Sequence, residues 1–376
     1  MPPAPPPQTV HGHLELTVSV FGLASNILNV IVLTRPVMTS PTTLLLTALA
    51  LVELVSLAGA GLHAVMFTIA QPECQGQSEV MFQTWLYMFI LTSHTTSIGI
   101  TVAITIIRYI FVCRQKYQLD GLSMRRTWVI MAASILTSIA ICIPFWFFYH
   151  AEQTTQVNEE LCYEMTFSDT SLTQFSLVFF GLVVKILPCV IITCFSLPLI
   201  RHVKTAKRHH ASMFTHTHTS EQHQHKNNTN TSTISVQAQH QHKHNTNTST
   251  KSVQAQHQHK HNTSKVSSLH NHHTTGMLLV MVITSVVTEA PNGVMAFIGG
   301  FSFTFAMNVY DKLGEILDLL ALVNMTINFI IYCAMSKRFR TTFRDLFTYR
   351  LVLPSTNVLA NVADVAARRP SMWQIK

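Results

Sequence analysis

The sequence predicts an all-α membrane protein, a bundle of seven transmembrane helices with a short amphipathic eighth helix. Of its 376 residues, 48% are hydrophobic and only 11% are charged, which is typical of membrane proteins. The hydrophobic residues form separate segments, each long enough to supply the ~20 apolar residues with which a helix crosses a bilayer. The seven segments comprise residues 14–34, 43–69, 82–112, 128–149, 173–200, 276–301 and 314–335.

Basic residues at the segment ends predict the orientation of the helices. Cytoplasmic loops hold the excess of lysine and arginine. Here these residues follow the first, third, fifth and seventh segments, whereas the other loops collect mainly acids. We therefore expect a multi-pass plasma-membrane protein with residues 1–13 outside the cell and residues 201–275 and 349–376 in the cytoplasm. The formal net charge of +8 reflects this asymmetry and indicates no nucleic-acid partner.

The positions of the cysteines predict one disulfide. Of the seven cysteines, only Cys74 and Cys162 fall in loops assigned to the outside. Disulfides persist on that side of the membrane. We therefore predict that these two cysteines pair.

The loop between the fifth and sixth segments is rich in histidine. Sixteen of the 21 histidines lie between His202 and His273, and residues 235–251 are nearly repeated at residues 252–265. Alternating histidines can chelate zinc, copper or nickel, but a polar loop that cannot fold supplies no fixed ligand geometry. We favour a disordered spacer over a metal site. We also expect no enzyme, because the sequence has no nucleophile–base pair and no Gly-rich phosphate loop.

Polar residues are costly inside a bilayer, and here they recur within the segments in a set of motifs. In chain order the motifs are LASNILNVIVLTR (23–35), LALVEL (49–54), IRYIFVCR (107–114), KILPC (185–189), TEAPNG (288–293) and NMTINFIIYCAMSKRFRTTF (324–343). Together they resemble the rhodopsin-like G-protein-coupled receptors. Within that group they resemble the invertebrate myosuppressin and FMRFamide-related peptide receptors, and the nematode Srw-type chemoreceptor-like family is similar.

The resemblance implies a receptor for a short, secreted, amidated neuropeptide of the RFamide type. Such a receptor moves its sixth helix outward and activates a heterotrimeric G protein, here of the inhibitory Gi/o class. A chemoreceptor of the same fold for an environmental small molecule is the main alternative. A metal transporter is a remote one, because only His63 and His94 lie firmly within segments and neither has a carboxylate at helical spacing.

A ligand site follows from the resemblance and from the chemistry of an Arg-Phe end. Asp318 and Glu289 would accept a guanidinium, whose planar donors match a carboxylate, although Asp318 could also be an acid favoured by the helix dipole. Lys185 and His94 complete the polar set. Lys185 and Glu289 are expected to pair in the resting receptor, since a lone buried charge is more costly; the alternative is that Lys185 contacts only the ligand. Candidates for an aromatic wall are Phe147, Phe148 and Phe297.

Two further sets of residues take their roles from the resemblance. The first would converge in mid-membrane on a sodium ion, with a protonated Glu53 as the alternative; it comprises Asn26, Glu53, Ser97, Asn324 and Asn328. The second is an activation switch, in which Tyr332 would meet Arg108 when the sixth helix pivots at its proline. It comprises Arg108, Tyr109, Pro291, Asn328 and Tyr332.

This sequence departs from the family pattern at several positions. Ile107 stands where an acid usually precedes Arg108, so the usual ion pair is not expected. The other departures are Glu53 for aspartate, Glu289 for tryptophan, Phe329 for proline and Gln83 for the cysteine that commonly anchors the outer disulfide. The last of these moves the expected bridge to Cys74.

The residues after the seventh segment predict an amphipathic helix. Phe339, Phe343 and Phe347 recur every four residues among basic side chains. We expect a helix over residues 336–348 that lies on the lipids of the inner leaflet.

Overall fold

The computed structural model describes residues 7–70, 74–113, 122–147, 149–157, 160–167, 170–202, 204–205 and 276–351. Seven helices in this part of the chain are long and apolar enough to cross a membrane, which confirms the predicted fold class. In chain order, spans one to seven are Val10–Leu33, Pro41–Ile69, Gln77–Cys113, Met124–Phe147, Ser171–His202, Gly276–Phe301 and Lys312–Met335. The histidine-rich repeat, Phe148 and the tail from residue 352 lie outside the described residues.

Two of the spans begin at serine caps. Ser40 accepts a hydrogen bond from the backbone N–H of Thr43, and Pro41 occupies the first helical turn of span two, where a missing N–H costs nothing. Ser123 accepts from the backbone N–H of Arg126 at the start of span four. These caps fix where the helices leave the short loops.

Span five is not a uniform helix. Residues Thr170–Phe179 form an α-helix, Phe180–Ile186 form a π-helical segment, and residues 187–202 are again α-helical. Pro188 follows the wide segment by two residues. Because proline lacks an N–H and its ring crowds the preceding turn, a wider turn accommodates it. Lys185 lies within this segment.

A β-hairpin connects spans four and five and is an addition to the predicted all-α architecture. Strands β1 (Tyr149–Val157) and β2 (Glu160–Phe167) pair in antiparallel fashion. Cys162 in β2 is bonded to Cys74, which confirms the predicted disulfide. The backbone N–H of Tyr163 donates to the carbonyl of Gln75 at 2.9 Å. We call this end of the bundle the hairpin end and the opposite one the Arg108 end.

Spans five and six approach each other closely at Gly181, Gly293 and Gly300. A Cβ atom on Gly293 would lie 2.7 Å from Cβ of Lys185, and one on Gly181 would lie 2.6 Å from the backbone nitrogen of Phe297. No larger residue fits at either position without moving the backbone or a buried side chain. This close packing brings the Lys185 side chain against span six.

The hydrophobic core of the Arg108 end joins most of the spans. Its fully buried members include Leu45, Ile104, Met281, Tyr332 and Phe339. Phe339 belongs to a helix after span seven, Lys337–Leu351, which extends past the predicted residue 348.

The helix Lys337–Leu351 is attached to the bundle at its first turn. Phe339 is 1% exposed and packs its ring against Phe329 and Tyr332. Arg340 donates from Nη1 to the carbonyls of Cys333 and Ala334, which lie at the end of span seven and lack helical partners. The aromatic face therefore begins against the bundle. Its contact with lipid remains a prediction.

Candidate ligand-binding and switch sites

A cavity of about 640 Å³ opens at the hairpin end among spans one, two, three, five and seven. Its volume is in the range of sites that bind small molecules or peptide ends. Aromatic and aliphatic side chains supply much of the lining. The polar and charged lining residues are His11, Glu15, His63, Thr68, Gln75, Gln83, Tyr87, His94, Lys185, Glu315 and Asp318.

Three ionisable side chains from spans three, five and six meet at the floor of this cavity. Lys185 Nζ lies 2.5 Å from Glu289 Oε2 and 2.9 Å from His94 Nε2. His94 Nε2 is also 3.3 Å from Glu289 Oε2. Lys185 and Glu289 are each 2% exposed, and His94 is 8% exposed. The predicted contact between Lys185 and Glu289 is confirmed, and His94 is a third member that the prediction did not include.

The local fold explains why these three side chains meet. Lys185 leaves the π-helical segment of span five directly opposite Gly293, one helical turn after Glu289 on span six. The missing side chain of Gly293 leaves room for the aliphatic part of Lys185. The ammonium group also lies 5.3 Å from the ring centroid of Phe180, at a distance typical of cation–π contacts.

The predicted ligand residues fall into three groups. His94, Lys185 and Asp318 line the cavity. Glu289 lies behind the lining and is already bonded to Lys185. Phe297 does not line the cavity, which corrects the prediction. It lies on the side of span six that faces Gly181, and its ring packs edge-on against Phe301 at 5.0 Å.

Two acids in the cavity were missed by the sequence prediction. Glu15 on span one and Glu315 on span seven line the same wall as Asp318, and we call these three residues the acidic wall. Among the described residues Glu315 and Asp318 form no ion pair, whereas Glu15 lies 3.9 Å from His11. Helical spacing gave a usable signal, because Glu315 and Asp318 are one turn apart on the same face.

Two tyrosines outside the spans lie near Asp318. Tyr149 in β1 contacts Tyr87 ring to ring at 5.7 Å, and Tyr310 donates from its hydroxyl to Asn292 Oδ1 at 3.2 Å. Burial, with the nearby charge of Asp318 as a smaller cause, raises the pKa of Tyr149 to about 12 and raises the pKa of Tyr310 above its ordinary value. Both phenols are therefore neutral hydrogen-bond donors at neutral pH.

The predicted mid-membrane cluster is present in part. Glu53 Oε1 accepts from Asn328 Nδ2 at 2.7 Å and from Ser97 Oγ at 3.5 Å. Asn324 borders the same narrow cavity. Asn26 differs, because its Nδ2 donates to the backbone carbonyl of Met325 instead of facing Glu53.

The residues around Glu53 fit a sodium ion poorly. The cavity beside it has about 10 Å³, room for one water-sized particle. Hard cations take several oxygen ligands, but Asn328 turns its amide nitrogen toward Glu53. His94, whose nitrogens are its only polar atoms, borders the same space. Glu53 Oε2 is buried with no hydrogen-bond partner among the described residues, so it still needs a proton or a donor.

The predicted switch residues are separated at the Arg108 end. Tyr332 is 2% exposed, and its hydroxyl lies 3.6 Å from Met281 Sδ on span six. Tyr109 packs edge-on against Phe195 of span five. Within the described part of the chain Arg108 forms no ion pair, and its Nε is buried without a partner. Pro291 is exposed on span six. The geometry fits a resting receptor in which Tyr332 has not met Arg108.

Comparison with known proteins decides the family. The sequence profile of the 7 transmembrane receptor (rhodopsin family) matches residues 25–332. The chain belongs to the rhodopsin family of seven-transmembrane receptors. It is 26% identical over 387 aligned positions to the G-protein coupled receptor dmsr-1 of Caenorhabditis elegans, an alignment that covers 96% of this chain and 72% of dmsr-1. The rhodopsin-family receptor is therefore a multi-pass membrane protein that signals to a G protein and is neither an enzyme nor a metal transporter.

Proposed function

We propose that this receptor binds the end of a short secreted peptide with an amidated Arg-Phe sequence and signals through a G protein of the Gi/o class. In this proposal the hairpin end faces the outside of the cell and the Arg108 end faces the cytoplasm. The peptide class and the Gi/o class come from the resemblance to myosuppressin and FMRFamide-related peptide receptors. The charge of the cavity is the observation that supports a cationic ligand.

The large cavity contains three carboxylates and a single lysine, together with His11, His63 and His94. Glu15, Glu315 and Asp318 line it, whereas its one lysine, Lys185, is already paired with Glu289. An unpaired carboxylate that lines a cavity gains from a cationic partner. An arginine side chain supplies both the charge and a planar set of donors.

Asp318 is the best-placed acceptor for a guanidinium. It is exposed, borders the cavity, and forms no ion pair with a described residue. Glu289 was the second predicted acceptor, but a ligand reaches it only by displacing Lys185. We therefore assign the first contact of the arginine to the acidic wall, with Glu289 reserved for a deeper position.

The ligand's phenyl ring needs a different wall from the predicted one. Phe297 does not line the cavity, and Phe147 is 74% exposed on the outside of the bundle. Phe67, Tyr87 and Phe180 do line it. Burying an aromatic side chain among such residues supplies much of the binding free energy of a short peptide.

An environmental small molecule remains the competing ligand, because the cavity volume suits one equally well. The acidic wall separates the two proposals: a neutral odorant gains nothing from three carboxylates, whereas an arginine-containing peptide does. Loss of the wall should therefore affect the two ligand classes differently.

The test uses cells that express the receptor and a panel of amidated and free-acid peptides, with and without arginine, together with small odorants. Asp318→Asn should lower the potency of arginine-containing peptides at least about tenfold, the effect of a lost charge-assisted bond. Glu164→Gln is the matched control, since Glu164 is an exposed acid of the hairpin outside the cavity. Equal potency of arginine-containing and arginine-lacking peptides, or a response to odorants alone, would overturn the proposal.

A further inference from the structure

His94 separates two cavities of the bundle. Among the described residues it alone lines both the large cavity and the narrow cavity of about 10 Å³ beneath it. On the upper side it contacts Lys185. The lower cavity also touches Glu53 of span two and Asn328 of span seven, which are hydrogen-bonded to each other. A change in the orientation or protonation of His94 can therefore affect both the large cavity and the bonded pair of Glu53 and Asn328.

Lys185 determines which nitrogen of His94 carries the proton. Lys185 Nζ is 2.9 Å from His94 Nε2 and 2.5 Å from Glu289 Oε2. An ammonium group only donates, so Nε2 must present its lone pair. A neutral imidazole with an unprotonated Nε2 carries its proton on Nδ1. On this assignment Nε2 and Glu289 Oε2, 3.3 Å apart, are two acceptors that share one ammonium group.

Three buried polar atoms belong to side chains that border the narrow cavity and have no hydrogen-bond partner among the described residues. They are His94 Nδ1, Glu53 Oε2 and Glu289 Oε1. With the assigned tautomer the first is a donor, and the other two are acceptors when their carboxyl groups are ionised. Leaving such groups buried and unpaired is costly. The cavity has room for one water-sized particle, and a water molecule can accept one such bond and donate two.

We propose that the narrow cavity holds an internal water molecule that accepts from His94 Nδ1–H and donates to Glu53 Oε2. A cation is disfavoured at this position because the His94 N–H would point toward it. The water completes a hydrogen-bonded path from Lys185 through His94 and Glu53 to Asn328. Glu289 Oε1 is the second acceptor available to it.

This path makes His94 a relay between the ligand cavity and span seven. A ligand cation that binds Glu289 displaces the ammonium group of Lys185 from Glu289 and from His94 Nε2. Nε2 then loses its donor, and the imidazole ring is no longer fixed in the orientation that directs Nδ1–H at the water. The water molecule is then no longer held against Glu53, and the hydrogen bond between Glu53 and Asn328 weakens. The relay rests on the proposed ligand cavity, whereas the water site and the His94 tautomer do not.

The tautomer is tested without any ligand, on the full-length receptor in lipid nanodiscs labelled with ¹⁵N-histidine. The difference between spectra of the intact protein and of His94→Gln, or of His94→Asn if the first variant does not fold, isolates the His94 signals. We expect a neutral ring with the proton on Nδ1, unchanged when potassium replaces sodium. This signature should be lost in the double variant Lys185→Met with Glu289→Leu, which removes the donor without leaving an unpaired buried charge. A ring protonated on Nε2 or on both nitrogens would overturn the assignment. A signature that depends on sodium would replace the water by the cation.

The relay is tested by agonist-free nucleotide exchange on a purified heterotrimeric G protein. Glutamine places its end group near the position of Nε2, so His94→Gln retains the contact to Lys185 and loses the donor to the narrow cavity. Loss of one hydrogen bond from the resting state should raise basal exchange about fivefold. His13→Gln is the control, since His13 is exposed and lines neither cavity. Basal exchange in His94→Gln equal to that of this control would refute the relay, whatever the ligand proves to be.

Discussion

Removing one charge from the buried pair of Lys185 and Glu289 should damage the receptor more than removing both. The two atoms are 2.5 Å apart, and both side chains are at most 3% exposed. At an effective dielectric constant of about 20, the attraction at this distance is about 7 kcal/mol. Each ion loses several kcal/mol of hydration on burial, so the net contribution of the pair is much smaller. Either single removal leaves an uncompensated buried charge, which costs ~3–5 kcal/mol.

The assay is a double-mutant cycle on detergent-solubilised receptor, read as apparent melting temperature and as surface expression in cells. Lys185→Met and Glu289→Leu should each lower both quantities strongly, and the double variant should recover most of the loss. The charge swap Lys185→Glu with Glu289→Lys should recover less, because Gly293 and the π-helical segment fit a lysine at position 185.

Thr288→Val is the matched control for this cycle. Thr288 adjoins Glu289 and is 5% exposed, and among the described residues its hydroxyl bonds only to carbonyls of its own helix. It should cost little. Strictly additive losses in the Lys185 and Glu289 variants would refute the reasoning, because independent side chains share no interaction free energy.

Three further outcomes are expected. Deleting residues 215–270 should leave surface expression, ligand potency and maximal G-protein activation within about threefold, because disordered loops change length at small closure cost; lost coupling at normal surface level would contradict the spacer interpretation. Ile107→Asp should lower agonist-free signalling by giving Arg108 a neighbouring acid, while Arg108→Ala should abolish coupling and spare ligand binding; unchanged basal signalling in Ile107→Asp would count against this reasoning. Cys74→Ala and Cys162→Ala should lower thermal stability equally, by ~2–4 kcal/mol for a lost disulfide, and the double variant should lose no more than either one.

The parts of the site that depend on charge and helical spacing could be predicted from the sequence. Lys185 and Glu289 stand out as opposite charges near prolines of adjacent spans, and each needs a partner inside a membrane. Glu53 and Asn328, as polar residues within spans, likewise predict a buried polar cluster. A single histidine within a span does not require a charged partner, because it can be neutral and packed. The contact of His94 with Lys185 and Glu289 therefore could not be predicted from the sequence.

The hairpin and the direction of Phe297 depend on long-range contacts that the sequence pattern does not contain. The hairpin has only two strands with an irregular register between Gln153 and Thr155, and it is tied to the bundle through Cys162 and Tyr163. An isolated two-stranded hairpin is only marginally stable, so these long-range links, which the sequence pattern does not show, decide whether it forms. Phe297 had a suitable depth on span six, but its direction is set by the close approach at Gly181.

We expect the resting position of span six to be restrained from the middle of the membrane rather than through Arg108. Ile107 removes the usual acid, and within the described residues Arg108 forms no ion pair. The side-chain contacts that tie span six to other spans include the bond of Glu289 to Lys185 and the weak contact of Met281 with Tyr332. The strongest of these lies directly beneath the ligand cavity. A cationic ligand of the proposed kind would act on this restraint of span six directly, which would couple binding and release over a few ångströms rather than across the whole bundle.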